Sequence, residues 1–324
     1  MRILVTGGAG FIGSAYVRRL LTGAETTLRP DRVTVLDSFT YAGTEDSLGT
    51  VREDPRLRVV RGDVRDADLV DATVAGHDVI VHLAAESHVD RSIAGAAPFV
   101  TTNVVGTQAL LDAALRHGTG RFVHVSTDEV YGSIDHGAWP PSAPLDPSSP
   151  YSASKAAADL LTLAYHRTHG LDVVITRGAN TYGPYQHPEK VIPRFVTNLL
   201  DGRALPLYGD GGNVRDWLHV DDHCHGITLA HQVGRAGAVY HLGGGTALTN
   251  RDLTGRLLTA FGAGWDRVRP VADRKGHDRR YALDTTTTRR DLGWAPTVDF
   301  DAGLAATIDW YRDNRSWWRP LVEA

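Results

Sequence analysis

Short runs of apolar and β-branched residues alternate with longer segments of helical periodicity over the first half of the chain. Most of these runs are continuously apolar, which is typical of strands buried on both faces of a parallel sheet. Helical segments lie between them, one after Gly10, one beginning near the capping residue Asp66, and two over residues 98–117 and 152–169. The repeated strand–helix–strand pattern predicts an α/β fold with a doubly wound, Rossmann-type parallel sheet. The predicted strands cover residues 3–6, 33–37, 57–62, 79–83, 122–126 and 173–176.

The regular alternation ends near residue 180, where three prolines crowd a loop before a helical stretch over residues 195–201. We therefore expect residues 1–180 to form the sheet domain and residues 181–324 mainly a smaller C-terminal lobe. The two parts are expected to interleave, because apolar runs over residues 217–220 and 239–242 read as late strands that return to the main sheet.

Composition and charge narrow the class of protein. The 324 residues include 34 Lys and Arg against 38 Asp and Glu, a formal net charge of −4. This near-balance argues against a nucleic-acid-binding protein and against a protein that binds membrane surfaces through a polybasic patch. No apolar stretch reaches the roughly 18 residues that span a bilayer, and the short N-terminal run does not read as a signal peptide. The single cysteine, Cys224, allows no intrachain disulfide, so we expect a soluble protein of the reducing cytoplasm.

A glycine-rich turn follows the first predicted strand and opens a helix, with Gly7, Gly10 and Gly13 at its key positions. Glycines at this spacing allow a tight turn, close approach of the backbone to a pyrophosphate, and close packing of the helix on the strand. The free N–H groups at the helix start then favour phosphate binding. By itself, the motif is equally compatible with a glycine-rich turn that binds no ligand.

Carboxylates at two later strand ends add to this pattern. Asp37 closes the second predicted strand, 24 residues after Gly13, where it can accept hydrogen bonds from both ribose hydroxyls and repel a 2′-phosphate. Its position favours NAD over NADP, and Arg32, which precedes the strand, is poorly placed to bind the extra phosphate. Asp63, at the end of the third strand, has two interpretations, a contact with the adenine amino group or a helix cap. Together these features predict a bound NAD.

Tyr151 and Lys155 stand at i and i+4 at the start of a predicted helix, so their side chains share one face. A cation about 4 Å from a phenolate, at an effective dielectric constant near 20, stabilises it by roughly 4 kcal/mol, or about three pKa units. We therefore expect Lys155 to lower the pKa of Tyr151 enough to make it a base near neutral pH. The same spacing also occurs by chance in amphipathic helices. After an NAD-type first half, the pair resembles that of the extended short-chain dehydrogenase/reductase superfamily.

Two adjacent acids, Asp128 and Glu129, directly follow the fifth predicted strand. The carboxyl ends of such strands are where α/β sheets bind their ligands. The acids have a mundane interpretation as caps of a helix start. The alternative is a general acid beside a general base, which is the pair that an elimination needs.

Further segments extend the resemblance to nearly the whole chain, which resembles the dTDP-glucose 4,6-dehydratases. These segments are more specific than the glycine triplet or the Tyr–Lys spacing. They are HLAAESHVDRSI at residues 82–93, STDEVYG at 126–132, YGPYQHPEK at 182–190, RDW at 215–217, HVDDH at 219–223 and RKGHDRRY at 274–281.

The resemblance implies a three-step conversion of dTDP-glucose to dTDP-4-keto-6-deoxyglucose and water. Tyr151 takes the proton of the sugar 4-hydroxyl while hydride passes from C4 to NAD. Glu129 then removes the C5 proton, which the 4-ketone has made acidic, and Asp128 protonates the departing 6-hydroxyl. Hydride finally returns to C6, so the cofactor ends as it began and need not be released. Thr127 is expected to hydrogen-bond the 4-oxygen, and Lys155 to hold the nicotinamide ribose.

The same resemblance supplies the remaining binding residues, with the C-terminal lobe as the site of the sugar nucleotide. Arginine and lysine side chains are expected to neutralise the diphosphate, since arginine can bind phosphate bidentately. Each of these residues alone is equally compatible with a solvated surface role, and Asn250 with a cap of a helix over residues 251–261. The expected NAD contacts are Gly7, Gly10, Phe11, Ile12, Gly13, Asp37, Ser38, Thr40, Asp63, Val64, Leu83, Ala84, Ala85, Thr102, Ser126, Tyr151 and Lys155. The expected substrate contacts are Ser87, Thr127, Asn180, Lys190, Val191, Pro206, Tyr208, Arg215, Asn250, Arg274, His277 and Tyr281.

Two positions depart from the family pattern. Thr181 stands where the family usually has a second asparagine, and Gly178 where cysteine is more frequent. Threonine lacks the amide NH2, so a contact near the nicotinamide or the sugar is altered. The nearby run His223-Cys224-His225 invites a metal interpretation, but residues two apart on a helix do not face each other. No metal site is expected, because no further cysteine or histidine pair completes a tetrahedral set.

Other functions share part of this evidence. A sugar-nucleotide 4-epimerase or a nucleotide-glucuronate decarboxylase would also use NAD, Tyr151 and Lys155, but neither needs Asp128 and Glu129 as an acid–base pair. A non-catalytic sugar-nucleotide-binding relative is a third possibility, which loss of a catalytic residue would favour. The predicted helices over residues 98–117 and 152–169 carry more apolar side chains than one sheet face requires, which indicates self-association. The resemblance implies a homodimer formed through a bundle of these helices.

Overall fold

Strands and helices alternate along the protein as the sequence predicts. The structure is a computed structural model that describes residues 1–323, so Ala324, the last residue of the predicted C-terminal lobe, lies outside the described residues. The strands are β1 (Arg2–Thr6), β2 (Arg32–Asp37), β3 (Leu57–Arg61), β4 (Val79–His82), β5 (Arg121–Thr127), β6 (Val173–Gly178), β7 (Asn180–Tyr182), β8 (Leu205–Tyr208), β9 (Val214–His219), β10 (Val239–Leu242), β11 (Ala247–Thr249) and β12 (Val268–Val271).

The helices begin and end close to the predicted positions. Asp66 caps the second helix, and its side chain accepts the backbone N–H of Leu69. The predicted helix over residues 98–117 is interrupted by a π-helical turn at Thr101–Val105. The helices are α1 (Phe11–Thr22), α2 (Ala67–Val74), α3 (Val89–Ala94), α4 (Ala97–Val100), α5 (Gly106–His117), α6 (Pro150–His169), α7 (Val191–Leu200), α8 (Val220–Val233), α9 (Asn250–Ala260), α10 (Thr286–Leu292), α11 (Phe300–Asp313) and α12 (Arg315–Glu323).

Seven parallel strands form the central sheet, in the order β10-β6-β5-β4-β1-β2-β3. The predicted doubly wound sheet is thereby confirmed, and each of the six predicted strands is found within two residues of its expected ends. The chain runs from β1 to β2 and β3 on one side and then crosses to β4 on the other. This reversal opens a crevice at the carboxyl ends of β1 and β4, where such sheets bind ligands.

One late strand was assigned to the wrong sheet. The apolar run over residues 217–220 ends β9, which pairs with β7 and β11 in a separate three-stranded sheet. Trp217 on β9 packs with Tyr182 and Phe300 in the core of the C-terminal region. The run over residues 239–242 does join the central sheet as β10, at its edge beside β6. A continuous apolar run shows that a strand is buried, but it does not specify the partner strands.

Separate apolar clusters cover the two faces of the central sheet. Val5 and Val35 point toward the cluster that contains α1 and α8, and Leu4 and Leu36 toward the one that contains α2 and α5. A further cluster, with Trp318 at its centre, joins α7, α9, α11 and α12 beside the small sheets. None of the helices within residues 1–323 combines the length and apolar character needed to cross a bilayer.

Candidate active site

The glycine-rich turn between β1 and α1 forms a cradle that no side chain could share. Gly7 has φ +68°, and a Cβ on it would lie 2.6 Å from the backbone nitrogen of Ala84. A Cβ on Gly13 would lie 2.1 Å from the carbonyl oxygen of Gly7. Gly10 precedes α1 without a side-chain cap, so the first N–H groups of the helix remain available to a ligand. This bare helix start fits the pyrophosphate of a dinucleotide.

Asp37 ends β2 beside this cradle and is held in place by the backbone. Its carboxylate accepts hydrogen bonds from the N–H groups of Ala9 and Phe39, each at 2.8 Å. Burial raises the pKa of Asp37, although these hydrogen bonds favour the ionised form. Asp63 pairs with Arg65 at 2.6 Å, whereas the cap of α2 is Asp66. The interpretation of Asp63 as a helix cap is therefore wrong.

All of the residues predicted to contact NAD line a single cleft of about 340 Å³ along the carboxyl edge of the sheet. The glycine cradle and Asp37 line one part of the cleft, and Tyr151 and Lys155 line another. We call it the cofactor cleft. A cradle for phosphates, a carboxylate for a ribose and a tyrosine–lysine pair together fit NAD.

A second cavity of about 200 Å³ adjoins the cofactor cleft. With the exception of Thr127, every residue predicted to contact the substrate lines it, including Val191, Pro206 and Asn250. We call it the nucleotide cavity. Residues that line both spaces, among them Ser87 and Glu129, mark the place where the two meet.

Asp128 and Glu129 lie in a short 3₁₀ turn directly after β5. The cap of this turn is Thr127, whose hydroxyl accepts the backbone N–H of Glu129, so the interpretation of the two acids as caps is wrong. Burial raises the pKa of Asp128 well above its usual range, and the neighbouring Glu129 charge adds to the effect. Burial also raises the pKa of Glu129, against the opposing charges of Arg215, Lys190 and Arg274. Asp128 is therefore suited to carry a proton and Glu129 to accept one.

Tyr151 and Lys155 begin α6, which is fixed by a capping box between Ser149 and Ser152. Both side chains are buried and line the cofactor cleft, and the Lys155 ammonium donates to the carbonyl of Val125 at 2.8 Å. Burial lowers the pKa of Lys155 to about 8. Burial also raises the pKa of Tyr151 well above its usual range, and the charges of the nearby acids add to this.

The expectation that Lys155 brings the pKa of Tyr151 near neutrality is therefore wrong for the protein without ligands. Lys155 supplies a nearby cation, but the Tyr151 phenol also loses its surrounding water and lies near the charges of Asp128 and Glu129. These effects favour the neutral phenol and raise the pKa of Tyr151.

Three of the cations that line the nucleotide cavity are held by other groups of the protein. Arg274 pairs with Asp90 at 2.6 Å, and the Lys190 ammonium donates to the carbonyl of Ser87 at 2.9 Å. Arg215 donates to the carbonyl of Asp278 at 2.9 Å.

Of three other predicted contacts of the cavity, Tyr281 and His277 have partners within the protein, and the side chain of Asn250 has none among residues 1–323. The Arg215 guanidinium lies 4.3 Å above the ring of Tyr281, and His277 lies 2.7 Å from Asp273. Asn250 is not the cap of its helix, as one interpretation held, because Thr249 is that cap. The amide of Asn250 is thus left to face the cavity.

Several functional candidates were not predicted from the sequence. Glu189 and Gln186 line both spaces, and Asp90 and Asp278 hold the two arginines. Glu189 and Gln186 belong to the segment YGPYQHPEK, so their position in a family motif was the available signal.

The sequence offered His223 as part of a metal site or as the last residue of the family segment HVDDH, and the structure places it in the cofactor cleft. The histidines of the run diverge, since His223 contacts Thr181 while His225 contacts Glu25. Cys224 lies against the carbonyl of Ile12. Within residues 1–323, no three His, Cys, Asp or Glu side chains are grouped to hold a metal ion.

Known proteins share this architecture. Residues 4–307 match the family model described as GDP-mannose 4,6 dehydratase. A dTDP-glucose 4,6-dehydratase of Streptomyces antibioticus is 66% identical over 99% of this chain and 95% of its own length. The chain belongs to the nucleotide-sugar 4,6-dehydratase family, among the dTDP-glucose 4,6-dehydratases.

Solved structures of this family superpose closely. The dTDP-glucose 4,6-dehydratase DesIV of Streptomyces venezuelae, solved with NAD and a second ligand bound, has a TM-score of 0.98 at 64% identity, covering 99% of this chain and all of its own. A UDP-glucose 4-epimerase of Thermotoga maritima is more distant, with a TM-score of 0.87 at 30% identity over 97% of this chain and 100% of its own. The fold is therefore shared with epimerases, and the acid–base residues have to separate the two activities.

Proposed function

We propose that the protein is an NAD-dependent dTDP-glucose 4,6-dehydratase that forms dTDP-4-keto-6-deoxyglucose and water. The observation that carries this proposal is the position of Asp128 and Glu129 near Tyr151 in the cofactor cleft, with Glu129 also lining the adjoining nucleotide cavity. Three proton-transfer groups thereby line one cleft. A dehydration needs three, one for the 4-hydroxyl, one for C5 and one for the departing 6-hydroxyl.

NAD, when bound in the cofactor cleft, supplies the hydride acceptor for C4 and the hydride donor for C6. Around it, Tyr151 accepts the proton of the 4-hydroxyl, and Thr127 binds the 4-oxygen with its hydroxyl. Lys155 holds the nicotinamide ribose and places a positive charge near the phenolate that Tyr151 becomes. Since burial keeps Tyr151 neutral in the free protein, its base form depends on charges that arrive with the ligands.

Asp128 and Glu129 carry out different steps of the elimination. Once C4 is a ketone, the C5 proton is acidic, and Glu129 removes it. Asp128, whose pKa burial raises well above its usual range, gives its proton to the 6-hydroxyl as the C6–O bond breaks. Water leaves, and Glu129 then returns a proton to C5. The pKa difference between neighbouring carboxyls thus assigns the acid and the base.

The nucleotide cavity would bind the diphosphate and the base of the substrate. Three of the cations that line it, Arg215, Lys190 and Arg274, match a diphosphate with about two negative charges. Tyr208 and Pro206 lie together on β8, and the base of the nucleotide would lie beside them. Arg274 has to leave or share its pairing with Asp90 when it binds phosphate.

The activity is tested by incubating the purified protein with dTDP-glucose, without added NAD, and following the sugar nucleotide by mass spectrometry. The expected product has lost one water, because the cofactor is regenerated in each turnover. Epimerisation would leave the mass unchanged, and decarboxylation requires a glucuronate that this substrate lacks. Binding of dTDP-glucose with no change of mass, even after NAD is added, would contradict the proposal and leave an epimerase or a binding protein.

We further propose that residues 1–180 form the NAD-binding domain, which β10 completes, and that residues 181–324 form mainly the sugar-nucleotide lobe. The crossing of β10 into the central sheet supports this interleaving. A cytoplasmic location is also proposed, since Cys224 is a buried free thiol. Limited proteolysis that released two stable halves would contradict the interleaved arrangement.

We propose a homodimer formed through α4, α5 and α6. The apolar surplus is smaller than the sequence suggested, because Leu110 and Leu111 are fully buried in the monomer. Val100, Val105 and Leu160 remain 49%, 47% and 57% exposed. Sedimentation velocity of Leu160→Asp should show a monomer where the unaltered protein sediments as a dimer. A monomer in both samples would contradict the proposal.

A further inference from the structure

His223 on α8 lines the cofactor cleft but not the nucleotide cavity. Its side chain is 2% exposed, and within residues 1–323 its Nε2 atom has no hydrogen-bond partner. Buried polar atoms in folded proteins nearly always have a partner. An unpaired ring nitrogen at the wall of a ligand cleft therefore points to a group that the ligand supplies.

Thr181 fixes which nitrogen of His223 carries the proton. Its hydroxyl donates to the carbonyl of Ala179 at 3.1 Å and lies 2.7 Å from Nδ1 of His223. A hydroxyl has one proton, and when Thr181 gives it to the carbonyl of Ala179, Nδ1 of His223 is the donor to Thr181. Burial lowers the pKa of His223 to about 4, which leaves the ring neutral near pH 7. Nε2 then presents a lone pair and can only accept a hydrogen bond.

Gly178 leaves room for this ring at the end of β6. A Cβ on residue 178 would lie 2.4 Å from Cε1 and 2.9 Å from Nε2 of His223. A cysteine there would displace the imidazole, whereas glycine leaves its Nε2 edge beside the cleft. The two departures from the family pattern, Gly178 and Thr181, thus both adjoin His223.

The position of His223 along the cleft identifies the part of the cofactor that it faces. The strand that carries Asp37 and the strand that ends at Gly178 are four strand spacings apart, or roughly 19 Å. A dinucleotide lies across the carboxyl ends of the strands, with its adenosine ribose at the carboxylate that ends β2. Its other end then lies near β5 and β6, beside Tyr151 and Lys155. The nicotinamide carboxamide is the amide N–H donor at that end.

We propose that Nε2 of His223 accepts a hydrogen bond from the carboxamide N–H of bound NAD, and that Thr181 and Gly178 hold the imidazole for this contact. The inference rests on the proposed use of NAD. Fixing the carboxamide fixes the rotation of the nicotinamide ring about its bond to ribose. His223 thereby sets which face of the ring is turned toward C4 and C6 of the sugar.

The test compares NAD with 3-acetylpyridine adenine dinucleotide, which keeps the carbonyl but carries a methyl group in place of the NH2. Both are titrated into dinucleotide-free protein, into His223→Phe and into the control His225→Phe, whose side chain contacts Glu25 outside the cleft. Loss of one buried hydrogen bond should weaken NAD binding by His223→Phe about tenfold. The affinity for the acetyl analogue should change less than twofold, and His225→Phe should leave both affinities unchanged.

The outcomes separate this inference from the proposed function. Equal losses for the two dinucleotides, or no loss for NAD, overturn the contact while leaving NAD as the cofactor. Failure of the unaltered protein to bind NAD overturns the proposed cofactor itself.

A second pair of variants keeps the test decisive if His223→Phe is misfolded by circular dichroism. Thr181→Val should lose several-fold in NAD affinity only, because it releases the Nδ1 proton, and Thr181→Ser should retain the unaltered affinity. An unchanged NAD affinity of Thr181→Val overturns the proposal.

Discussion

The carboxyls of Asp128 and Glu129 are neighbours in the chain but differ in their electrostatic surroundings. Burial and the adjacent Glu129 raise the pKa of Asp128 well above its usual range. Burial also raises the pKa of Glu129, but three cations of the nucleotide cavity oppose this shift. One backbone turn thus supplies both a proton donor and a proton acceptor, which is the property that separates a dehydratase from an epimerase on the same fold.

Neutral replacements of the pair should abolish most of the elimination. Asp128→Asn and Glu129→Gln keep the shapes of the side chains but cannot transfer the proton, so each should lower the rate of water loss by about 10²–10⁴-fold. Asp210→Asn is the matched control, because its exposed carboxylate pairs with Arg279 outside the site. Its rate should equal that of the unaltered protein, and wild-type rates in Glu129→Gln would refute the assignment of the base.

The pH dependence of kcat should be bell-shaped. Glu129 must be ionised, so the rate should rise with pH through its raised pKa. Asp128 must be protonated, so the rate should fall as pH rises through its own more strongly raised pKa. Because Arg274 lowers the pKa of Glu129, Arg274→Met should move the acidic limb to higher pH at saturating substrate. An acidic limb that stays in place would show that another group controls it.

The glycine cradle should tolerate no side chain at residue 13. In Gly13→Ala the new Cβ meets the Gly7 carbonyl at 2.1 Å, so the turn has to distort. We expect loss of NAD binding, measured as the dinucleotide content of the purified protein. Gly49→Ala is the control, since its Cβ meets nothing within 4 Å, and it should keep a full complement of NAD. Normal NAD content in Gly13→Ala would contradict the fit of a pyrophosphate in this turn.

A buried ion pair below the catalytic helix should be important for stability. Arg177 on β6 donates to Asp159 on α6 at 2.8 Å, and both side chains are at most 3% exposed. Burial opposes ionisation of Asp159, but Arg177 and His124 outweigh it and lower its pKa to about 2. Removing the cation leaves a buried charge unpaired, so Arg177→Met should lose about 3–5 kcal/mol of unfolding free energy in urea. The exposed Arg167→Met should change it by less than about 0.5 kcal/mol.

The sign of the pH effect follows from the lowered pKa of Asp159. The stabilisation is fully present above the ordinary value of 3.8 and is lost as pH falls from there toward 2. The stability difference between the unaltered protein and Arg177→Met should therefore shrink in that acidic range. A difference that is constant from neutral pH to pH 2 would contradict this account.

The sequence was sufficient for the features that depend on local pattern. Continuous apolar runs predict buried parallel strands. The glycines, Asp37 and the Tyr151–Lys155 pair have fixed positions relative to those strands. The pairing of strands was harder to predict, because the run that forms part of β9 pairs in a separate sheet with residues distant in sequence. Capping was also misassigned at Asn250, since the adjacent Thr249 has an equally suitable side chain.

The pKa shifts and the unpaired buried atoms could not be predicted from the sequence alone. The rise in the pKa of Tyr151 comes from burial and from two acids more than twenty residues away in the chain. His223 became a candidate only when its free Nε2 was found at the wall of the cleft. The motif HVDDH includes His223 but does not show its role, because the contacts that orient the ring come from Thr181 and Gly178, over forty positions earlier.

The most direct test of the central claim is mass spectrometry of the product formed from dTDP-glucose in heavy water. The account predicts loss of one water and gain of one solvent deuterium at C5, because Glu129 removes that proton and a solvent-derived one replaces it. Product that has lost water but carries hydrogen derived from the substrate at C5 would contradict a solvent-exchanging base. Recovery of unchanged dTDP-glucose, with NAD bound and both carboxyls intact, would contradict the dehydratase itself.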